Sequence, residues 1–326
     1  MQTYRSWQVF DEDGAVSARL VSAPLDEVVS RPGVLVRGAY AGVNYKDALT
    51  ALNRAKIVRS FPCTVGIELA GTVERSDDAR FRPGDSVIMH GFGMGSEGPG
   101  GFTEWLVAPA DQLVRLPAGL GLLDAATIGV AGYTSALAID AMQANGMAPG
   151  SGPVAVNGAT GGAASLAIDM LAGAGYEVHA ITRQTDDGWL RALGAATVHA
   201  PPQVGQRPLE GARWAAGIDS LGGQALDEML RTMQRDGIVA AFGNAMSNEL
   251  TTSVLPFILR GVRLLGINAN SPMPLRERIW NRIGSDLRPR HLEAIAQPVS
   301  LQELGDVFQT LIDGQGRGRF VVDLQR

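Results

Sequence analysis

Residues 154–164 read Val-Ala-Val-Asn-Gly-Ala-Thr-Gly-Gly-Ala-Ala, an apolar run that passes through three glycines into an alanine-rich segment. This order predicts a strand, a tight turn and the start of a helix. Glycine allows the turn to approach a pyrophosphate closely, and the N–H groups and dipole of a helix start favour negative charge. With a second strand predicted at Tyr176–Thr182, the unit reaches the length of about thirty residues that a dinucleotide site requires. An ordinary strand-to-helix turn is the alternative, and the length of the unit favours the phosphate site.

The end of that second strand reads Thr182-Arg183, and this corner decides which dinucleotide is expected. An acidic residue there would bind the ribose hydroxyls of NADH, whereas an arginine would accept the 2′-phosphate of NADPH. Glu177 stands at the start of the strand and Asp169 within the preceding helix, so we expect neither carboxylate at the ribose. NADPH is therefore the predicted cofactor. A solvated loop arginine is the alternative interpretation of Arg183.

Around this unit, alanine-rich helical stretches alternate with short apolar runs, a pattern that indicates a doubly wound α/β domain with a parallel sheet. The predicted strands are Val154–Asn157, Tyr176–Thr182, Gly217–Asp219, Gly237–Phe242 and Arg263–Asn268. Before about residue 120 the apolar runs are shorter and follow turn residues, as at 31–33 and 82–85. This punctuation predicts a β-rich domain. The tail from about residue 270 is expected to return to that domain.

The composition is typical of a folded enzyme with two domains. The chain has 326 residues, 45% of them hydrophobic and 19% charged, and this length exceeds one ordinary core. A net charge of -5 without a cluster of Lys and Arg predicts no binding to nucleic acid. The polar first residues and the lack of a long apolar stretch predict neither a signal peptide nor a membrane span, and the single Cys63 excludes an internal disulfide. We therefore expect a cytoplasmic location and no membrane partner.

Several collinear segments carry a resemblance to a known family across nearly the whole chain. They are residues 42–49 (Gly-Val-Asn-Tyr-Lys-Asp-Ala-Leu), 65–73 (Val-Gly-Ile-Glu-Leu-Ala-Gly-Thr-Val), 82–87, 100–104, 125–134, the glycine loop and 256–262. With these segments the sequence resembles the medium-chain dehydrogenase/reductase superfamily, in its zinc-independent, quinone-oxidoreductase-like branch. Within that branch it is most similar to the NADPH-dependent acrylyl-CoA reductases.

The resemblance implies a GroES-like β-rich catalytic domain formed by residues 1–122 and 268–326, and a Rossmann NADPH-binding domain formed by residues 123–267. It also implies a homodimer and a small-molecule substrate. The cofactor contacts that it implies are Tyr45, Thr134, Gly158, Thr160, Gly161, Gly162, Ala163, Thr182, Arg183, Phe242 and Gly243.

Two positions argue against a zinc site of the kind that other members of the superfamily have. In zinc-dependent relatives a cysteine ligand stands where this chain has Asn44, and a histidine ligand stands where it has Ile67. Asparagine is a poor zinc ligand and isoleucine is none, and the four histidines show no metal-ligand spacing. We therefore expect no metal, and hydride transfer without a Lewis acid.

Tyr45 and Asn44 are the predicted catalytic residues. In the acrylyl-CoA reductase branch the tyrosine that matches Tyr45 lies against the nicotinamide end of the cofactor. Its phenol could donate a hydrogen bond, or a proton, to the enolate that forms when hydride adds to a β-carbon. The alternative is that residues 44–47 only open a helix, with Asn44 as its cap and with Lys46 and Asp47 exposed.

The chain also departs from the branch. Residues 91–100 lack its usual aromatic and histidine side chains, Ala164 replaces the last glycine of the loop motif, and the ribose corner differs in sequence. The expected function is reduction of an acrylyl-CoA-type α,β-unsaturated acyl thioester or enone by NADPH. NADPH:quinone oxidoreduction is one alternative, and a non-catalytic NADPH-binding regulatory protein is another. His90, beside the altered loop, could face the substrate, but a structural role is the expectation for it and for most histidines.

Overall fold

The computed structural model describes residues 2–184, 188–202, 205 and 207–326. Its strands in chain order are β1 (Thr3–Glu12), β2 (Ala15–Pro24), β3 (Val34–Gly42), β4 (Cys63–Thr64), β5 (Glu68–Ser76), β6 (Ser86–His90), β7 (Trp105–Ala108), β8 (Leu113–Arg115), β9 (Val154–Asn157), β10 (Val178–Ile181), β11 (Thr197–His199), β12 (Trp214–Asp219), β13 (Met233–Ala241), β14 (Arg263–Gly266), β15 (Ala296–Ser300) and β16 (Arg319–Asp323).

The helices are α1 (Asp26–Val29), α2 (Tyr45–Ala51), α3 (Leu122–Ala144), α4 (Gly162–Gly173), α5 (Gly188–Ala192), α6 (Gly223–Arg231), α7 (Leu255–Arg260), α8 (Met273–Ile283), α9 (Leu292–Ile295) and α10 (Leu304–Ile312). Short 3-10 turns lie at Ala110–Gln112 and Leu301–Glu303.

The chain folds into two compact units, of which the first is rich in β-structure. It comprises Met1–Val130, Asn270–Trp280 and Leu292–Arg326. A small sheet has the order β2-β1-β4, and a larger one the order β15-β16-β3-β5-β6-β8, with β7 also paired to β3. Strand β16 pairs antiparallel with β3, so the end of the chain joins the sheet that its beginning builds. The β-rich architecture predicted from the short apolar runs is confirmed.

The second unit contains a parallel sheet, as the alternating pattern predicted. It comprises Ala131–Ala269 and Asn281–His291. Its strands are parallel and have the order β11-β10-β9-β12-β13-β14. The chain thus builds outward from β9 in one direction and then in the other, which is the strand order of dinucleotide-binding folds. In such sheets a ligand binds beyond the carboxyl ends of the strands, where the order reverses.

Helix α3 is the only helix among the described residues that is long and apolar enough to cross a membrane. It has 23 residues and a mean hydropathy of 1.4, and 67% of its most apolar window is buried within the structure. The helix is broken at Gly129, where φ is 49°. A helix that buries most of its surface against its own chain is a core helix.

Candidate functional site

The glycine loop after β9 is shaped by the turn that follows β12. Gly158 has a φ of +60°, and a Cβ on it would overlap Ser220 Oγ and lie 3.1 Å from Leu221 Cδ2. Glycine is therefore required here both for its backbone angles and for its lack of a side chain. The N–H of Gly161 donates to the carbonyl of Gly158 at 2.8 Å and closes the turn.

Helix α4 begins directly after this turn, with Gly161 as its extended N-cap. The first N–H groups of a helix have no partners within it, and together with the helix dipole they attract an anion. Residues 160–163 are only partly buried, so a ligand can reach this backbone. Ala164 is fully buried, and the methyl group that replaces the last glycine of the motif is accommodated by packing.

Thr182 and Arg183, which follow β10 and form the predicted ribose corner, lie beside this loop, because the N–H of Ala159 donates to the carbonyl of Ile181 at 3.2 Å. Thr182 is buried there, and its hydroxyl accepts a hydrogen bond from the N–H of Gln184 at 3.1 Å. Arg183 is exposed, and no described residue makes a hydrogen bond or ion pair with its guanidinium. The side chain of Arg183 is therefore accessible from solvent at this corner.

The two carboxylates that the sequence places nearby are engaged elsewhere. Glu177 Oε1 lies 2.8 Å from Nε2 of His179. Asp169 is buried in α4 and accepts hydrogen bonds from the backbone N–H groups of Arg290 and His291, each at 2.9 Å. Neither is placed to bind ribose hydroxyls, as expected from their positions in the sequence.

The remaining residues predicted to contact the cofactor in this unit surround the same edge of the sheet. Phe242 follows β13, and a Cβ on Gly243 would overlap the carbonyl oxygen of Ser220. An open depression of about 590 Å³ is lined by residues 241–244 and 266–268. Ser135, which follows the buried Thr134, donates from its hydroxyl to the carbonyl of Ala163 at 2.7 Å. Helix α3 therefore supports the first turn of α4.

In the first unit, Asn44 and Tyr45 stand at the start of α2. The N–H of Asn44 donates to Asp47 Oδ2 at 2.8 Å, so the helix start is held by a side chain of its own first turn. Tyr45 is the first residue of the helix and is 40% exposed. Asn44 thus lies at a helix start, as the alternative interpretation of residues 44–47 assumed. The exposure that the same interpretation gave to Asp47 is wrong, since that residue is only 1% exposed.

Asp47 is buried because it links two segments. Its second carboxylate oxygen accepts a hydrogen bond from the N–H of Ile67 at 3.1 Å. Burial raises the pKa of this carboxyl to about 7, and the charge of Glu68 acts in the same direction, while the hydrogen bond from Asn44 opposes the shift. Asp47 therefore changes its protonation state near neutral pH.

A buried ion pair lies next to Asn44. Nη2 of Arg319 is 2.6 Å from Glu68 Oε1, and its Nη1 donates to Asn44 Oδ1 at 2.8 Å and to the carbonyl of Val43 at 2.6 Å. The other oxygen of Glu68 accepts the N–H of Val130 at 2.6 Å, just after the break in α3. In the part of the chain that the structure describes, no three His, Cys, Asp or Glu side chains gather as a metal site. The asparagine that stands at the zinc-ligand position is instead bound by a guanidinium.

His90 is a core residue. Its Nε2 accepts a hydrogen bond from Trp280 Nε1 at 3.0 Å, and Arg276 donates to its carbonyl at 2.7 Å. Burial, reinforced by the charge of Arg276, holds the pKa of the imidazole well below its ordinary value. The side chain is neutral and enclosed, which is the structural role expected for it.

Sequence reasoning missed two polar residues behind the glycine loop, Asn157 and Asp219. They are the last residues of β9 and β12, and Asn157 Nδ2 donates to Asp219 Oδ1. Both strands were predicted to end at these residues. The sequence did contain a signal for this pair. Each of the two predicted strands ends in a polar residue, and the strand order of a doubly wound sheet makes these two strands neighbours.

Comparison with known proteins gives matches along most of the chain. Residues 31–118 match the family described as the alcohol dehydrogenase GroES-like domain. The acrylyl-CoA reductase AcuI of Ruegeria pomeroyi is 41% identical over 296 residues, which are 89% of this chain and 90% of that protein. YhfP of Bacillus subtilis, whose name places it among the quinone oxidoreductases, is 38% identical over 320 residues, 96% of each chain.

Two solved structures share the fold along their whole length. Escherichia coli K-12 YhdH with bound NADPH has a TM-score of 0.93 at 35% identity, and the match covers 98% of this chain and 99% of that one. The Bacillus subtilis YhfP structure, with NAD bound, has a TM-score of 0.93 at 36% identity and covers 99% and 100%. Proteins similar to this chain therefore include one solved with NADPH and one solved with NAD.

Proposed function

We propose, because this chain belongs to the medium-chain dehydrogenase/reductase superfamily and to its zinc-independent, quinone-oxidoreductase-like branch, that it is an NADPH-dependent reductase of activated alkenes. Its substrate is an acrylyl-CoA-type α,β-unsaturated acyl thioester or an enone. The observation that carries this proposal is the loop after β9, where Gly158 packs tightly against Ser220 and the partly buried backbone of residues 160–163 leads into the start of α4, which attracts an anion. The 41% identity to an acrylyl-CoA reductase supports the substrate class.

Arg183 is the observation that favours NADPH over NADH. Its exposed guanidinium stands at the end of β10, where a 2′-phosphate would lie, and Glu177 and Asp169 are bound to histidines. One solved relative holds NADPH and another holds NAD, so we base the preference of this chain for NADPH on Arg183.

NADPH, when bound, supplies a hydride. The chain's own residues then act on the charge that develops as the hydride adds to the β-carbon of the substrate. The phenol of Tyr45 donates a hydrogen bond to the carbonyl oxygen, on which negative charge grows, and the enolate then takes a proton from solvent water at its α-carbon to complete the reduction. Asn44, whose amide is held by Arg319, fixes the start of the helix that carries Tyr45.

In this proposal the chain has a catalytic domain and a cofactor-binding domain. Residues 1–122 and 268–326 form the catalytic domain, and residues 123–267 form the NADPH-binding domain with Thr134, Gly158, Thr160, Gly161, Gly162, Ala163, Thr182, Arg183, Phe242 and Gly243 as its contacts. The protein acts in the cytoplasm and uses no metal.

The test is steady-state oxidation of NADPH with acryloyl-CoA, crotonyl-CoA, small enones and a quinone. We expect turnover with the unsaturated thioesters or enones to exceed turnover with the quinone. The reverse order would support the alternative, an NADPH:quinone oxidoreductase. A thermal shift with NADPH but no turnover of any acceptor would support a non-catalytic cofactor-binding protein.

We also propose that the protein is a homodimer. Helix α7 and the residue before it expose three large apolar side chains: Val254 is 65% exposed, Ile258 68% and Leu259 55%. Strand β14, close to α7 in the chain, ends the parallel sheet and offers an edge to a second strand. Large apolar side chains exposed close together in the chain commonly mark an interface.

A further inference from the structure

Asn157 and Asp219 form a buried polar pair at the centre of the parallel sheet. They end the neighbouring strands β9 and β12 and are 2% and 0% exposed. Asn157 Nδ2 donates to Asp219 Oδ1. Each side chain also accepts a backbone N–H of the turn that follows β12: Asn157 Oδ1 from Ser220 at 2.8 Å, and Asp219 Oδ2 from Gly222 at 2.9 Å. The pair therefore binds the turn at both of its ends.

This turn is the surface on which the glycine loop rests. The hydroxyl of Ser220 donates to the carbonyl of Asn157 at 3.1 Å, directly before the loop. The Cα of Gly158 faces Ser220 so closely that a Cβ would overlap its hydroxyl oxygen, and a Cβ on Gly243 would overlap its carbonyl. Ser220 is thus wedged between the phosphate loop and the segment after β13. A shift of the turn would change the shape of both.

The chemistry of the pair explains why it is polar although it is buried. Apolar side chains of similar size would leave the N–H groups of Ser220 and Gly222 without acceptors, which is costly inside a protein. Burial raises the pKa of the Asp219 carboxyl, and the hydrogen bonds that Asn157, Gly222 and Leu221 donate to it oppose this shift. Each of the two side chains therefore makes hydrogen bonds that a pair of apolar side chains could not make.

We propose that Asn157 and Asp219 are positioning residues that fix the glycine loop in the shape that binds the cofactor pyrophosphate. The proposal rests on the proposed function, since it assumes that NADPH binds this loop. It extends that function by assigning cofactor affinity to two residues that lie behind the loop and do not line it.

The test is a reciprocal exchange. In N157D the new carboxylate has no N–H to donate to Asp219, and two carboxylates then lie together. In D219N the new amide N–H group can face the N–H group of Asn157, so that two donors oppose each other. In the double variant N157D/D219N, the amide now at position 219 can donate to the carboxylate now at position 157. That carboxylate still accepts the N–H of Ser220, and the amide oxygen at position 219 still accepts that of Gly222.

We expect the Kd for NADPH to rise about tenfold or more in each single variant, the equivalent of one lost buried hydrogen bond. In the double variant it should return to within about threefold of the wild-type value, because the exchanged pair restores the hydrogen bond between the two strands.

The matched control is Asp169→Asn, which alters another buried carboxylate of the same unit that accepts two backbone N–H groups. This variant should lower the melting temperature and leave the Kd for NADPH unchanged. Turnover at saturating NADPH should be similar in wild type and D219N, because positioning of the loop acts on binding.

The outcomes separate the two proposals. If wild type does not bind NADPH, the proposed function fails. If wild type binds and the single variants bind equally well, or the folded double variant binds no better than the weaker single one, the positioning role is overturned. Should a single variant not fold, the double variant decides the question: near-native affinity supports the pair, and a folded protein with weak affinity contradicts it.

Discussion

At the scale of single residues, Arg183 is expected to discriminate between the two nicotinamide cofactors. Its guanidinium is exposed at the end of β10. A charge-assisted contact with a 2′-phosphate contributes about 1.5–3 kcal/mol, so Arg183→Ala should raise the Kd for NADPH by about tenfold to a hundredfold. The Kd for NADH, measured by fluorescence titration of the same variant, should not change. Equal losses for both cofactors would contradict a 2′-phosphate site here.

Tyr45 is expected to act on the reaction and not on cofactor affinity. Removing only the phenolic hydroxyl, in Tyr45→Phe, should lower kcat with an unsaturated thioester by about a hundredfold, the usual effect of one donor to a developing oxyanion. The Kd for NADPH should stay near that of wild type. Lys46→Ala, at the exposed neighbouring position, is the matched control and should keep its activity. An unchanged kcat in the phenylalanine variant would reduce Tyr45 to a packing residue.

Asp47 should make the stability of the protein depend on pH. Its pKa in the folded state is about 7, above the value of about 3.9 for an unfolded chain, so between these values the folded state keeps a proton that the unfolded state has lost. Stability is therefore reduced as pH rises from about 4 to about 7, by up to about 1.4 kcal/mol per pH unit. Relative to wild type, Asp47→Asn should become progressively more stable across this window, as measured by denaturant unfolding at a series of pH values. A difference between Asp47→Asn and wild type that stays constant across this window would contradict the assignment.

At the scale of elements, the connection between β9 and α4 should tolerate no side chain at Gly158. Gly158→Ala adds a methyl group that overlaps Ser220, in addition to the strain of a left-handed backbone. We expect NADPH affinity to fall about tenfold or more, because the added methyl group must displace the turn after β12, on which the loop rests. Gly146 has a φ of +98° and open space around its Cα, so Gly146→Ala carries the backbone strain alone. It should lower the melting temperature and keep NADPH affinity, and an equal loss of affinity in both variants would attribute the effect to strain.

The elements themselves could be predicted because their signals are local. The strand Val154–Asn157 was predicted with the bounds that the structure shows, and the helix predicted after it is α4. The buried contacts could not be predicted, because they join distant parts of the chain. Glu68 and Arg319 are 251 residues apart, and Asn157 and Asp219 are 62 apart. Only the tertiary structure shows that these groups meet. Asp47, which the alternative interpretation of residues 44–47 left exposed, is buried for the same reason.

At the scale of the whole molecule, the exposed face of α7 predicts the state of assembly. A dimer would bury the side chains of Val254, Ile258 and Leu259, and light scattering coupled to size exclusion should give about twice the chain mass of 34.3 kDa. Ile258→Arg places a charge in that interface, and without a partner charge its burial is unfavourable. We expect this variant to elute as a monomer that still binds NADPH.

The control for this experiment is Leu123→Arg. Leu123 is also exposed, at 37%, but it belongs to α3 and lies outside the apolar face of α7. This control variant should keep the mass of wild type. A wild-type protein that is already monomeric at micromolar concentration, or an Ile258→Arg protein that remains a dimer, would contradict the interface. In the first case the three apolar side chains would face solvent in the free protein, at a cost of about 25 cal/mol for each Å² of apolar surface left in water.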